Sequence, residues 1–295
     1  MSRIAAPADC NRSYLVRAAF DGTAYVGWQY QPNGLSVQEA LETSFEKVTQ
    51  QPVRLRGAGR TDAGVHALDL PADFTLPFDL DLPRLLTAWN AVTPPDITIH
   101  DIRRVPEGFS ARHRAHRRHY RYVVLNRPFP SPFLSRYSWH ITDELDIISM
   151  QQAMVSLVGE HDFSAFRAAS CEAAHPVRRI VTATVHDMVT VGAWERHADW
   201  WPFAGSVEGG LLCFTISGTA FLKHQVRAIV GTLALVGRGK VTPGEFADIL
   251  ALRDRSCAGP TAPAHGLTLV GVAFPPDALG DSNGTGAQGA GGGTE

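Results

Sequence analysis

The chain opens on an alternation. In SYLVRAAFDG the large apolar residues Tyr14, Val16 and Phe20 stand against Arg17, and Asp-Gly ends the run, which predicts a strand and a turn. The period then changes. In SVQEALETSFEKV, Val37, Ala40, Leu41 and Val48 fall at helical spacing behind an S-x-x-E box of Ser36 and Glu39. VRLRGAGRTDAGVHAL reads as a short strand running into a glycine loop. LPRLLTAWNAV reads as a helix with Pro83 early and Pro94-Pro95 stopping it. ITIHDIRRV and HYRYVVLN alternate again and predict two strands.

In LDIISMQQAMVSLVG the residues Ile147, Met150, Met154, Leu157 and Val158 share a helical face, with Gly159 closing the helix. GLLCFTISGTAF predicts a strand. FLKHQVRAIVGTLALVG predicts a helix with Val226, Ile229, Val230 and Leu233 inward. TPGEFADILALRD predicts a shorter helix, with Thr242 as cap, Pro243 in its first turn and Glu245 completing a capping box. GLTLVGVAF predicts a last strand.

Short amphipathic strands interleaved with helices point to an α+β chain: antiparallel sheets with helices on one face rather than a buried parallel sheet. A division near residues 112–118 gives two halves of similar make-up, expected as domains over 12–112 and 113–275. Glu195 to Gly210 reads as a long surface loop. The tail over 276–295 is Gly-rich, poor in apolar residues and expected to be disordered.

Composition narrows the class. At 295 residues, 44% hydrophobic and 19% charged, the chain suits a soluble globular protein with a core that needs no staples. Cys10, Cys171, Cys213 and Cys257 form no C-x-x-C pair, against a zinc ribbon or a disulfide framework and in keeping with a reducing cytosol. MSRIAAPADCNRSY lacks an apolar h-region, so no signal peptide is expected, and no run approaches a membrane span. A formal net charge of -2 does not itself suggest a nucleic-acid partner, but the charge is unevenly placed.

Three runs carry candidate chemistry. In GAGRTDAGVHAL, glycines flank Arg60 and Asp62, so backbone can approach a ligand closely. The plain alternative is a surface ion pair between these two residues. A phosphate loop fits poorly, since no Gly-Lys-Ser/Thr is present and Asp62 would repel phosphate. In ARHRAHRRHYRY, Arg112, Arg114, Arg117, Arg118 and Arg121 are interleaved with histidines and tyrosines and no acid. That suits either a solvated basic face or single-stranded or looped RNA, with arginines on phosphates and rings on bases. In FLKHQVRAIVG, Lys223, His224 and Arg227 lie close together near a helix N-terminus. Together they form the polar side of an amphipathic helix or, alternatively, Arg227 beside an Asp holds its carboxylate ionised. His161 and His265 stand alone, and no metal site assembles around them.

Taken in order, FDGTAYVGWQYQPNGLSVQEALE, GRTDAGVHAL, GEHDFSAFRA, FLKHQVRAIVGTL and AGPTAPAHGLTLVGV resemble successive blocks of the TruA-type tRNA pseudouridine synthases, from Tyr14 to Phe274. The resemblance implies two α+β domains related to the RNA-recognition fold, an active-site cleft between them, and a cytoplasmic homodimer. It implies isomerisation of uridine to pseudouridine on the 3′ side of the tRNA anticodon stem-loop, with no cofactor and no metal. By the same resemblance Asp62 is the catalytic aspartate, either nucleophile at C1′ or base at the 2′ position. Arg60 takes the place of the extruded base, Tyr120 stacks on the flipped uracil and assists removal of the C5 proton, Arg227 pairs with Asp62 and Leu267 packs under the base. Arg112, Arg114, Arg117, Arg118 and Lys223 are the expected RNA contacts.

The sequence departs from the family pattern at Asp69-Leu70-Pro71, Gln225, Phe20 and Ser110. The first lies beside the active loop and bears on substrate positioning. Two other classes compete: an RNA-binding module without turnover, and a hydrolase using Asp62 with a histidine, for which no second well-placed acid is present.

Overall fold

The computed structural model describes residues 11–188 and 210–280. These residues form an α+β structure of one large mixed sheet and six helices. The strands are β1 (Arg12–Phe20), β2 (Arg56–Gly57), β3 (His66–Leu76), β4 (Ile97–Val105), β5 (Arg117–Asn126), β6 (Trp139–Ile141), β7 (Gly159–Asp162), β8 (Val177–Asp187), β9 (Leu211–Gly218) and β10 (Leu267–Ala273). The helices are α1 (Val37–Thr49), α2 (Leu82–Val92), the single turn α3 (Ala111–Arg114), α4 (Ile147–Val155), α5 (Gln225–Gly237) and α6 (Pro243–Leu252).

The sheet runs β4-β1-β3-β10-β5-β9-β8-β7, with β2 added to β3 and β6 to β5. It is continuous across both halves of the chain, where the strand pattern suggested two separate sheets. The join is β10, which pairs antiparallel with β5 and parallel with β3 through Thr268↔His66 and Leu269↔Ala67. The C-terminal strand thus lies beside the strand that leaves the glycine loop.

Two apolar clusters flank this join. The first packs α1 and α2 on β1 and β3, with Phe45, Phe74 and Trp89 fully buried. The second packs α4, α5 and α6 on β5, β8 and β9. Tyr120 touches both. Successive strand residues face opposite sides of a sheet. Tyr122 and Val124 accordingly enter the second cluster, while Val123 and Leu125 enter a third, smaller one.

Local signals account for most helix starts. Ser36 Oγ accepts from Glu39 N at 3.1 Å, and Thr242 with Glu245 makes the full capping box. Asp81 and Asp146 cap α2 and α4 in the same way. Two helices differ from expectation. α4 ends at Val155, and Val158 is 46% exposed; Gly159, at φ 119, opens β7 instead of closing a helix. α5 begins only at Gln225, because Leu222 to Gln225 forms a tight turn first. The helix is buried nearly all round, between the sheet, α4 and α6, so burial outweighs the weak helix preference of its β-branched residues.

Packed chain continues past residue 275: Ala278 is buried in the first cluster and its N–H donates to Pro275 O. Residues 281–295 and nearly all of the Glu195 to Gly210 loop lie outside the described residues. Among the described residues no helix is long and apolar enough to cross a membrane.

Candidate active site

The glycine loop is braced from beneath by the segment after β1. Trp28 N donates to Thr61 O at 3.2 Å, Gly64 N donates to Tyr25 O at 3.3 Å, and Gly27 makes an isolated antiparallel bridge with Asp62. Tyr25 and Trp28 are buried. Gly27 sits at φ 106, and a Cβ there would come 2.5 Å from Thr61 O. Only glycine allows this approach. The run GTAYVGW is therefore the floor of the loop. On the exit side, His66 is 4% exposed, and its ring meets Gly22 N at 3.0 Å, Asp21 at 3.1 Å and Arg136 O at 2.9 Å.

Held this way, Asp62 faces α5. Arg227 Nη1 donates to Asp62 Oδ2 at 3.0 Å, joining residues far apart in the chain. The same guanidinium donates from Nε to Ala262 O at 2.8 Å, and Ala262 N donates back to Arg227 O. Arg227 thus bridges the glycine loop and the turn before β10. The side chains of Asp62 and Arg227 are 24% and 15% exposed, so the pair is sheltered but not sealed. His224 Nε2 lies 3.5 Å from the same Oδ2. Arg60 is exposed, and among the described residues the ion pairs of Asp62 are with Arg227 and His224. The plain reading of Arg60 and Asp62 as partners does not hold.

Tyr120, on β5, makes an edge-on contact with Phe221 at 5.1 Å between ring centroids. Burial pushes its phenol up to about 12; the Arg118 charge pulls the other way and Asp62 adds to the rise. Tyr120 is therefore within electrostatic reach of Asp62 and is neutral at physiological pH. Leu267, buried at the start of β10, pairs with Tyr122, whose hydroxyl donates to Pro263 O at 2.8 Å.

The basic run divides. Arg112 and Arg114 on α3 are exposed, as is Lys223. Arg118 is half-buried, and its terminal nitrogens donate to Ala58 O, Arg112 O, Ala115 O and Thr219 O at 2.6–3.2 Å. It staples the glycine loop to α3 and to the end of β9. Strand alternation sends Arg117, His119 and Arg121 to the sheet face opposite Tyr120, where His119 Nδ1 meets Ser217 Oγ at 2.8 Å.

The departures also find places. Asp69 is bound by Arg17 and lies 3.3 Å from His100. Burial works against its charge, but the bonds from His100 and Arg17 outweigh it and leave the carboxyl below its ordinary value. Asp69 belongs to an ion cluster of the sheet, and Pro71 lends its carbonyl to Ala58 N at 2.8 Å. Gln225 is fully buried, and its Oε1 accepts from Leu222 N at 2.8 Å, closing the turn before α5. Two residues escaped the sequence reading. His224 gave no hint of touching Asp62, and Asp73, buried at 0% between Arg56 and Ala111 N, gave none of carrying the loop's second anchor.

Comparison with known proteins bears on this arrangement. The model of the tRNA pseudouridine synthase family matches residues 153–275, a stretch holding Lys223, Arg227 and Leu267. Relatives called tRNA pseudouridine synthase A also span the glycine loop. That of Geotalea daltonii is 41% identical over 86% of this chain and 96% of its own length. Those of Myxococcus xanthus and Thermoanaerobacter sp. are 40% and 39% identical, over 86% and 89% of this chain and 89% and 100% of theirs. With similarity at this level running over nearly the whole of each relative, and with its blocks folding into one site, the chain belongs to the tRNA pseudouridine synthase A family.

Proposed function

We propose that this protein isomerises uridine to pseudouridine on the 3′ side of the tRNA anticodon stem-loop, with Asp62 as its catalytic residue. The observation that carries the proposal is the Asp62–Arg227 pair: one carboxylate, set on a glycine loop against one guanidinium, within electrostatic reach of a half-buried aromatic ring. Asp62 acts at the ribose, as nucleophile at C1′ or as base at the 2′ position. The N1–C1′ bond breaks and its electron pair leaves with the uracil. The base turns and C5 forms the new bond to C1′, as Asp62 leaves that carbon or returns the 2′ proton; the C5 proton passes to water and N1 takes up a proton from water. Substrate and product are isomers, so neither oxidant nor co-reactant enters the balance.

A detached base must turn without escaping, which calls for an enclosed apolar pocket around one charge pair. Tyr120 and Leu267 supply the apolar surfaces. Tyr120 lies as a ring against the uracil, with burial pushing its phenol up to about 12. Arg60, exposed at the loop tip, takes the place of the extruded base in the stack. The halves 12–112 and 113–275 are the two domains, with the cleft between them, and the enzyme works as a cytoplasmic homodimer.

Product identity tests the reaction. Incubation with unmodified tRNA carrying tritium at uridine C5 should release tritium while all uracil stays attached. Release of free uracil would indicate a hydrolase, and binding without tritium release would indicate an RNA-binding module.

The basic run yields a second prediction. Arg112→Glu with Arg114→Glu should weaken tRNA binding roughly tenfold and reduce the salt slope by about two, with no change in Tm. Arg118→Ala should cost about 2 kcal/mol of stability, because it strands four carbonyls, and should leave the salt slope alone. Paired salt titrations and thermal melts separate the two roles; a salt slope that moves with Arg118 and not with Arg112 and Arg114 would reverse them.

A further inference from the structure

We propose that His224 is a positioning residue for Asp62: together with Arg227 it holds Oδ2, leaving Oδ1 as the single oxygen that reacts. The proposal rests on the reading of Asp62 as the catalytic group. Both side chains reach the same oxygen, Arg227 Nη1 at 3.0 Å and His224 Nε2 at 3.5 Å. Among the described residues no hydrogen bond falls on Oδ1, the side-chain bond to Asp62 being on Oδ2. A carboxylate anchored through one oxygen cannot swing its two oxygens through the reacting position. Its free oxygen is aimed.

The backbone shows that His224 is placed on purpose. It stands at φ 62 and ψ 3, the left-handed region, immediately before α5. For a residue with a Cβ that conformation costs of order 1 kcal/mol and persists only where its surroundings impose it. Here the surroundings are a reciprocal pair. Gln225 N donates to Leu222 O at 3.1 Å, and Leu222 N donates to Gln225 Oε1 at 2.8 Å. The buried Gln225 side chain thereby closes the turn that carries His224 toward the glycine loop. This gives a role to Gln225, one of the positions at which the sequence departs from the family pattern. A thioether side chain at 225 would have no oxygen for Leu222 N.

The charge state suits a donor. The groups facing the ring are Asp62 on the glycine loop, Arg227 on α5, Lys223 on the same turn and Arg255 beyond α6. Burial holds the imidazole below its ordinary value, with the three cations adding to the fall and Asp62 opposing it. The neutral ring has one N–H, and a carboxylate at Nε2 selects the tautomer that carries it there. At 3.5 Å the contact is at the outer edge of hydrogen-bond reach.

Two substitutions test the assignment. Glycine accepts φ 62 freely, so His224→Gly removes the donor without backbone strain. Glutamine places an amide N–H near the lost Nε2, and Gln50 already adopts φ 57 in this chain. Single-turnover and steady-state pseudouridine formation should show His224→Gly lowering kcat roughly ten- to hundredfold, with KM for tRNA within about threefold of wild type. His224→Gln should restore kcat to within about threefold of wild type. Equal kcat in wild type and His224→Gly would overturn the proposal, as would a loss that appears in KM or that His224→Gln shares in full. Failure of the underlying reading has a different signature: turnover that survives Asp62→Ala.

Discussion

Asp62→Ala is expected to lower the rate of pseudouridine formation by roughly 10⁴-fold or more, the scale on which enzymes lose rate when their covalent or proton-transferring group is removed. tRNA affinity should change by less than about threefold, because the contacts that position RNA are phosphate contacts made by other side chains. The fold should survive. Asp62 is joined to the floor of its loop through backbone, with Val65 N donating to its carbonyl at 3.1 Å and Gly27 bridging it. None of these bonds uses the side chain. The truncation does leave Arg227 without its carboxylate, but that guanidinium keeps Ala262 O and some solvent access. Asp62→Asn keeps the shape and removes the charge, and should be nearly as inactive. Gel-shift binding with the same protein preparations used for turnover checks both halves of the prediction.

Arg227→Leu should have the second largest effect. It removes the guanidinium that pairs with Asp62 and cuts the tie to Ala262, so two things happen together. The carboxylate loses its strongest anchor, which should lower kcat roughly 10²- to 10³-fold, the usual loss when one preorganised charge partner is deleted. The turn before β10 loses a bond at 2.8 Å, and a half-sheltered carboxylate is left with only the His224 imidazole, which should cost about 2 kcal/mol of stability. Arg227→Lys should not rescue the enzyme. An ammonium can reach Asp62 or Ala262 O, but it lacks the fork that serves both at once. A loss confined to tRNA binding in Arg227→Leu would show that this arginine contacts phosphate instead.

The parts of this structure that could be read from the sequence are those whose causes are local. α1, α2 and α6 announce themselves through Ser36, Pro83, Thr242 and Glu245, each acting within one turn of itself. β1 and β5 announce themselves by alternation. β3 does not, because it lies in the middle of the sheet: Leu70, Pro71, Ala72, Asp73 and Phe74 are buried in succession, so both of its faces are covered. Its polar members are satisfied at long range, Asp73 by Arg56 and Ala111, Asp69 by Arg17 and His100. Nothing in the segment's own pattern reports that.

The site was legible in part for the same reason. Asp62 and Arg227 stand in runs unusual enough to be singled out and matched. The left-handed turn at His224 depends on Gln225 reaching back to Leu222, and no Gly or Asn marks it. Arg118 is indistinguishable from Arg117 in a string of basic residues. Only the folded chain shows that one of them is engaged with four carbonyls and that the other points to the far face of the sheet.

On the function proposed above, one carboxylate, on the glycine loop, turns uridine into pseudouridine in the anticodon arm. Site-resolved mapping of pseudouridine in unmodified tRNA treated with the purified protein tests it most directly, run beside Asp62→Ala. Pseudouridine is expected on the 3′ side of the anticodon stem-loop with the wild-type protein, and at no position with Asp62→Ala. Pseudouridine confined to another arm of the tRNA, or formed equally by Asp62→Ala, would contradict it.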